Sequence, residues 1–309
     1  MANNFASVFV LSVTLLVGCG GGGGSKSLSV SAKQAATIPV GPSDCSAAAV
    51  NSAIFSASDG DTVLLTCTGT TSWTSTVTIP SSKGITLQVQ NGTNGTWNGG
   101  RTARTGANFP LTVVVSSGGT AIVIVANTNK ALARVSGFHF QNSGTSDPFL
   151  EVGGCGNGTT NLGAFRIDNN YFDTISAVEN VAIWSGQAGG CQGQLWGLVD
   201  NNTFHNVYRA SSPDYGPYNI QIWNYFHPSG TNQCWGCNGW IDNDFAYGSE
   251  HEVFVEDNLF EQTATAPAHM RHYISSELGA RYVSRYNTFV NNLPEAAMTV
   301  RCNYAAEAG

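Results

Sequence analysis

The sequence predicts an all-β solenoid of stacked parallel strands, closed at its N-terminal end by one helix. Three observations carry that prediction. The first is composition. Of 309 residues, 36 are Gly and 28 are Asn, residue types that helices disfavour and tight turns use. Hydrophobic residues make up 42%, enough for a sizeable core, so global disorder is not expected. The second is internal repetition at a period that signals stacked structural units. The third is a single stretch of helical spacing, placed ahead of the repeats.

The repeats align on their own residues. Ala133–Phe140, Phe165–Phe172, Gly197–Phe204, Val253–Phe260 and Tyr282–Phe289 each read as a short strand, a turn and an aromatic, and four of the five end in Asn-x-Phe. The aromatic positions step by 32, 32, 56 and 29 residues. A second apolar run follows each of the later units, at Val181–Trp184, Ile220–Trp223, His272–Ser275 and Met298–Arg301. None of these units has a helical period. Asn tolerates the left-handed backbone of a sharp turn. Coils stacked at ~4.8 Å would let Asn170, Asn202, Asn258 and Asn287 bond along the axis, with Phe140, Phe172, Phe204, Phe260 and Phe289 stacked in the core beside them.

Ahead of the repeats, Cys45–Ala57 places Ala49, Val50, Ala53, Ile54 and Ala57 at helical spacing. A helix there would plug the open end and protect the first strand edge. Strands are expected at Thr62–Cys67, Thr76–Ile79, Ile85–Val89, Leu111–Ser116 and Ala121–Ala126. The segments CSAAAVNSAIFSASDGDTVLL and TSTVTIPSSKGITLQV, with FRIDNNYF and VFVEDNLF further on, resemble right-handed parallel β-helix proteins of the pectin-lyase-like superfamily. The resemblance covers residues 44–309. It is specific for fold and weak for activity, since that superfamily holds lyases, hydrolases, esterases, tailspikes and adhesins. The chain ends shortly after Met298–Arg301 with no evident capping segment, as a truncated product would.

The N-terminus reads differently. Val8–Val17 is an apolar run too short to span a bilayer as a mature helix. Leu16-Val17-Gly18-Cys19 and the glycine run after it look like a bacterial lipoprotein signal, although Met1–Asn4 lacks the usual Lys or Arg. That resemblance implies residues 1–19 as signal and lipobox, lipid on Cys19, a flexible tether over 20–43, and a place on the bacterial outer membrane or cell surface. Seven cysteines remain, and export favours disulfides. Cys45 is expected to pair with Cys67, Cys155 with Cys191, and Cys234 with Cys237 as a small closed loop, since a lone CxxC lacks two of the ligands a zinc site needs.

In the resembled fold the Asn turn joins the second strand of a coil to the third, and polysaccharide lies along the outer face of the first. Strand alternation then points Ile183, Ile222, Ile274 and Val300 inward. It points Trp184, Gln221, Trp223, Arg271, Tyr273, Ser275 and Arg301 outward. Aromatics suit sugar rings and arginines suit uronate carboxylates. The alternative is that the tryptophans lie under long loops. The insertion Asn224–Glu252 adds Trp235, Trp240 and His251 as an active-site lid or as a decorated loop.

Elimination at a uronate needs a group to neutralise the carboxylate, a base for the C5 proton and an acid for the leaving oxygen. Arg271 or Arg301 are the candidate neutralisers, His269, Arg271 or His251 the base, and Tyr273 the acid. Two residues before each turn Asn stand Asp168, Asp200 and Glu256, which alternation also turns outward. Side by side they could share Ca²⁺, the candidate cofactor, or form a hydrolase pair. Otherwise they are ordinary turn-capping surface.

The net charge of −7 argues against a nucleic-acid partner. No motif points to a nucleotide. Three functions remain: a polysaccharide lyase on an acidic glycan, which leads; a non-catalytic glycan-binding or adhesive module; and a glycoside hydrolase.

Overall fold

The computed structural model describes residues 34–93, 106–116, 119–127, 129–146, 148–153, 163–177, 179–185, 195–207, 218–224, 252–262, 272–277, 282–290 and 296–300. Within the unit Ala35–Gly309, the described residues form a parallel β-helix. Three sheets of 8, 7 and 7 described strands run along it. Sheet I enters the Asn turn, sheet II leaves it, and sheet III precedes the connection to the next coil. The pairings within all three are parallel. The expected strands are present, each trimmed by one to three residues. Gly69–Trp73, which alternation did not single out, is the first strand of sheet II.

The helix spans Ala47–Ser56, with Ser46 as N-cap accepting from the Ala49 amide. It buries Ala47, Val50 and Ile54 against the first coils. Its C-terminal carbonyls are held by the Lys83 ammonium, which donates to Ile54, Phe55 and Ala57 at 3.1, 2.9 and 2.6 Å. A cation there also complements the negative end of the helix dipole. Cys45 and Cys67 form the expected disulfide. Solenoid structure begins earlier than residue 44. Thr37–Val40 is the edge strand of sheet I, paired with Thr62–Leu65, so part of the expected tether is strand.

The turn chemistry is as the repeats imply. Asn170 Nδ2 donates to Asn202 Oδ1, Asn202 Nδ2 to Asn258 Oδ1 and Asn258 Nδ2 to Asn287 Oδ1, each at 3.0–3.1 Å. Each Oδ1 also accepts the backbone N–H of the Asn one coil below. The residue before each ladder Asn is left-handed: Asn169, Asn201, Asp257 and Tyr286 have φ of 53–60°. Phe140, Phe172, Phe204, Phe260 and Phe289 stack with centroids 4.8–5.5 Å apart.

Candidate functional site

Sheet III is the sheet on which the sequence places the groove. Its core rows are Val181–Ile220–Ile274 and Ile183–Ile222–Ser276. Ile274 therefore lies beside Ile220, two residues from its expected partner Ile222.

At the corner where the chain turns into sheet III, simple alternation fails. Phe149 and Leu150 are consecutive core residues, and so are Tyr273 and Ile274. Tyr273 is fully buried, its ring 5.5 Å from Phe260 and 5.4 Å from Phe289. Its hydroxyl donates to the Val290 carbonyl at 3.3 Å. Burial, with the charge of Glu261, raises its pKa to about 12. The expectation that Tyr273 faces an outer groove as a proton donor is thus corrected: a strand bending into a corner turns two successive side chains inward.

The residue just before Tyr273, His272, is also buried but belongs to a polar column. Glu179, Tyr218 and His272 occupy one register column on three successive coils. They are 6, 4 and 3% exposed, and Tyr218 lies outside the hydrophobic core cluster. The Tyr218 and His272 rings stack at 5.8 Å. A carboxylate, a phenol and an imidazole are thereby held on rigid strand starts. The next column differs. Where neighbouring coils place the core rings Phe149 and Tyr273, these two place Asn180 and Asn219, 0 and 1% exposed. Among the described residues, Asn180 Oδ1 and Nδ2 and Asn219 Oδ1 meet no hydrogen-bond partner. A buried polar group left so costs about 1–3 kcal/mol.

The other expected site residues fare variously. Gln221 sits between the core residues Ile220 and Ile222 and is itself 2% exposed, so it is no open groove wall. Trp184 and Trp223 are register neighbours along the backbone. The side chains of both, and the residues Arg271, His269, His251, Arg301, Trp235 and Trp240, lie outside the described residues. So do Cys19, Cys155, Cys191, Cys234 and Cys237.

Asp168, Asp200 and Glu256 do form a column on sheet I, but arginines hold them. Arg134 engages both oxygens of Asp168, Nε at 2.6 Å and Nη2 at 2.5 Å. Arg166 takes both oxygens of Asp200 at 3.0 and 2.8 Å. Arg285 Nε meets Glu256 Oε1 at 2.7 Å. Bidentate arginine pairing consumes the acceptor positions a Ca²⁺ site would use. Among the described residues no group of three His, Cys, Asp or Glu is placed to share a metal ion. The expectation of a shared-carboxylate cation site is corrected to an ion-pair ladder.

Sheet II carries a cluster the sequence analysis missed. Asp173 accepts from His205 Nδ1 at 2.9 Å, His139 Nε2 at 3.3 Å, Gln141 Nε2 at 2.9 Å and Thr174 Oγ1 at 2.9 Å. Burial pushes the Asp173 pKa up, but these hydrogen bonds outweigh it and hold the carboxyl well below its usual range. His205 is raised, chiefly by its bond to Asp173. Tyr171 lies edge-on to His139 and stacked on His205, and burial first, then Asp173 and Glu261, raises its pKa. The signal was available: the position after each core Phe reads Gln141, Asp173, His205 and Glu261 down one outward column.

No family model and no curated protein matches the chain. Among solved structures it is similar to an alginate lyase from Paenibacillus sp. str. FPU-7, at 12% identity and a TM-score of 0.27, over 86% of this chain and 98% of that one. A likeness at that level carries no argument about activity.

Proposed function

We propose that this β-helix is an exported, lipid-anchored polysaccharide lyase of the pectin-lyase-like superfamily, acting on a uronate-containing glycan. The observation that carries the reading is the Glu179–Tyr218–His272 column. It sets a carboxylate, a phenol and an imidazole side by side on the first residues of three neighbouring sheet III strands. The buried amides of Asn180 and Asn219 support it, because they keep polar groups where packing alone favours aromatic rings. In this reading His272 takes the C5 proton of the uronate. The C–H electrons form the C4–C5 double bond, and the C4–O bond breaks. The leaving oxygen takes a proton from Tyr218. Glu179 orients the pair, and Arg271, next to His272 in the chain, neutralises the carboxylate.

The test is ultraviolet absorbance of unsaturated uronate on pectate, alginate and glycosaminoglycans, with Ca²⁺ and with chelator, using protein lacking residues 1–25. Tyr218→Phe and His272→Gln should each lower the rate about 10²-fold or more, as removal of a positioned proton-transfer group does, with unchanged melting. A flat trace from folded wild-type protein overturns the lyase reading. It would favour a glycan-binding module, the reading that the register-paired Trp184 and Trp223 support.

A further inference from the structure

Sheet I departs from its own pattern in one place. On its lower coils, the residue two before the carboxylate column is an arginine that reaches the Asp one coil above: Arg134, two before Ser136, to Asp168, and Arg166, two before Asp168, to Asp200. The next residue in the arginine column is Leu198, followed by Phe254 and Val283. No arginine therefore rises to Glu256, and its cation comes from the opposite direction, from Arg285 on the coil beyond. Arg285 is half exposed at its side chain. Its Nε donates to Glu256, and among the described residues its two terminal nitrogens show no hydrogen bond.

A second departure lies beside it. The left-handed turn position is Asn169, Asn201 and Asp257 on three coils but Tyr286 on the fourth, at φ 60°. A bulky residue with positive φ is a strained choice where Asn or Asp serves the turn. Tyr286 is also 73% exposed, so core packing does not explain it. The Arg285 guanidinium carbon stands 5.5 Å from the Phe254 ring and 5.8 Å from the Tyr286 ring. In front of them lies a concavity of about 480 Å³, lined among others by Leu132, Arg166, Leu198, Phe254, Glu256 and Arg285. That volume is in the usual range for a small-ligand site.

We propose that this concavity is a second glycan site, separate from the sheet III edge, that takes one acidic sugar residue. Leu198 and Phe254 form an apolar floor for a pyranose face. The free fork of Arg285 meets the carboxylate in bidentate fashion. Glu256 accepts from ring hydroxyls, and Tyr286, which is not itself part of the lining, acts through the Arg285 guanidinium 5.8 Å from its ring. Strain at Tyr286 and the missing arginine at Leu198 are then costs retained for binding, since structure alone favours Asn at the one and Arg at the other. The site needs no turnover, so it stands whether or not the chain is a lyase.

The test is the binding stoichiometry of uronate trimers (galacturonate, mannuronate and glucuronate) on the full chain, with a neutral glucose trimer as control. The Arg285→Gln/Tyr286→Asn variant should bind one acidic trimer per chain fewer than wild type. Tyr286→Asn alone should weaken binding several-fold while melting at the same temperature or higher, because Asn relieves the turn. Failure of the lyase reading shows instead as absence of unsaturated product. The proposal is overturned if stoichiometry is unchanged in the double variant, if no acidic trimer binds wild type, or if the neutral trimer binds equally well.

Discussion

Asn202 shows how much one side chain holds in this fold. Its Oδ1 accepts from the Asn170 amide and side chain, and its Nδ2 donates to Ile167 O and Asn258 Oδ1. All of these groups are sealed from water. Asn202→Ala leaves donors and acceptors on two coils unpaired, at a cost of about 3 kcal/mol or more. We expect the melting temperature to fall by roughly 5–10 °C, measured by calorimetry. A drop under 2 °C would mean that water replaces the ladder. Asp173 is a different kind of anchor, because its bonds titrate. His205 lies above its ordinary 6.5, so its contribution is full below that pH and is lost as pH rises through the raised value. Asp173 lies below its ordinary 3.8, so its contribution is present above that and is lost as pH falls through the lowered value. With both contributions present, stability should peak between about pH 4 and 6.5. Asp173→Asn should flatten the fall above that window, and a profile unchanged by the substitution would exclude the pair as its source.

At the scale of elements, the helix and the Asn turn were legible because both are local. The helix needs only its apolar spacing and a capping serine, and the turn needs only a residue that accepts a left-handed backbone. The anchor of the helix was not legible. Lys83 lies 27 residues after the last helical residue, and nothing in its neighbourhood announces that it will cap three carbonyls. Lys83→Met should cost about 1–2 kcal/mol and speed amide exchange in Ala47–Ser56 more than in the distant coils. Uniform acceleration would instead show that the cap and the coils open together. The carboxylate column has the same lesson in reverse. Asp168, Asp200 and Glu256 were visible as a column, but their partners lie 34, 34 and 29 residues away. An outward column of acids reads as a cation site until its arginines are placed.

For the molecule as a whole, the repeat makes each coil depend on its neighbours, so stability is a sum of coil and interface terms. The export reading also belongs at this scale. If Cys19 carries lipid, labelled palmitate should enter the chain in a bacterial host and be lost in Cys19→Ser; incorporation that survives the substitution would end that reading. The sequence by itself determined the solenoid, its Asn ladder, its Phe stack, its capping helix and the Cys45–Cys67 bond. Each of these follows from a residue type recurring at a fixed step, or from a pairing close in the chain. Only the tertiary structure decided which side chains line each face at a corner, and which charges meet. Alternation is a property of a straight strand. Where the coil bends into sheet III, Tyr273 turns into the core and His272 takes its place beside Tyr218. That one-residue shift moves the candidate chemistry from the residue the pattern chose to the one before it.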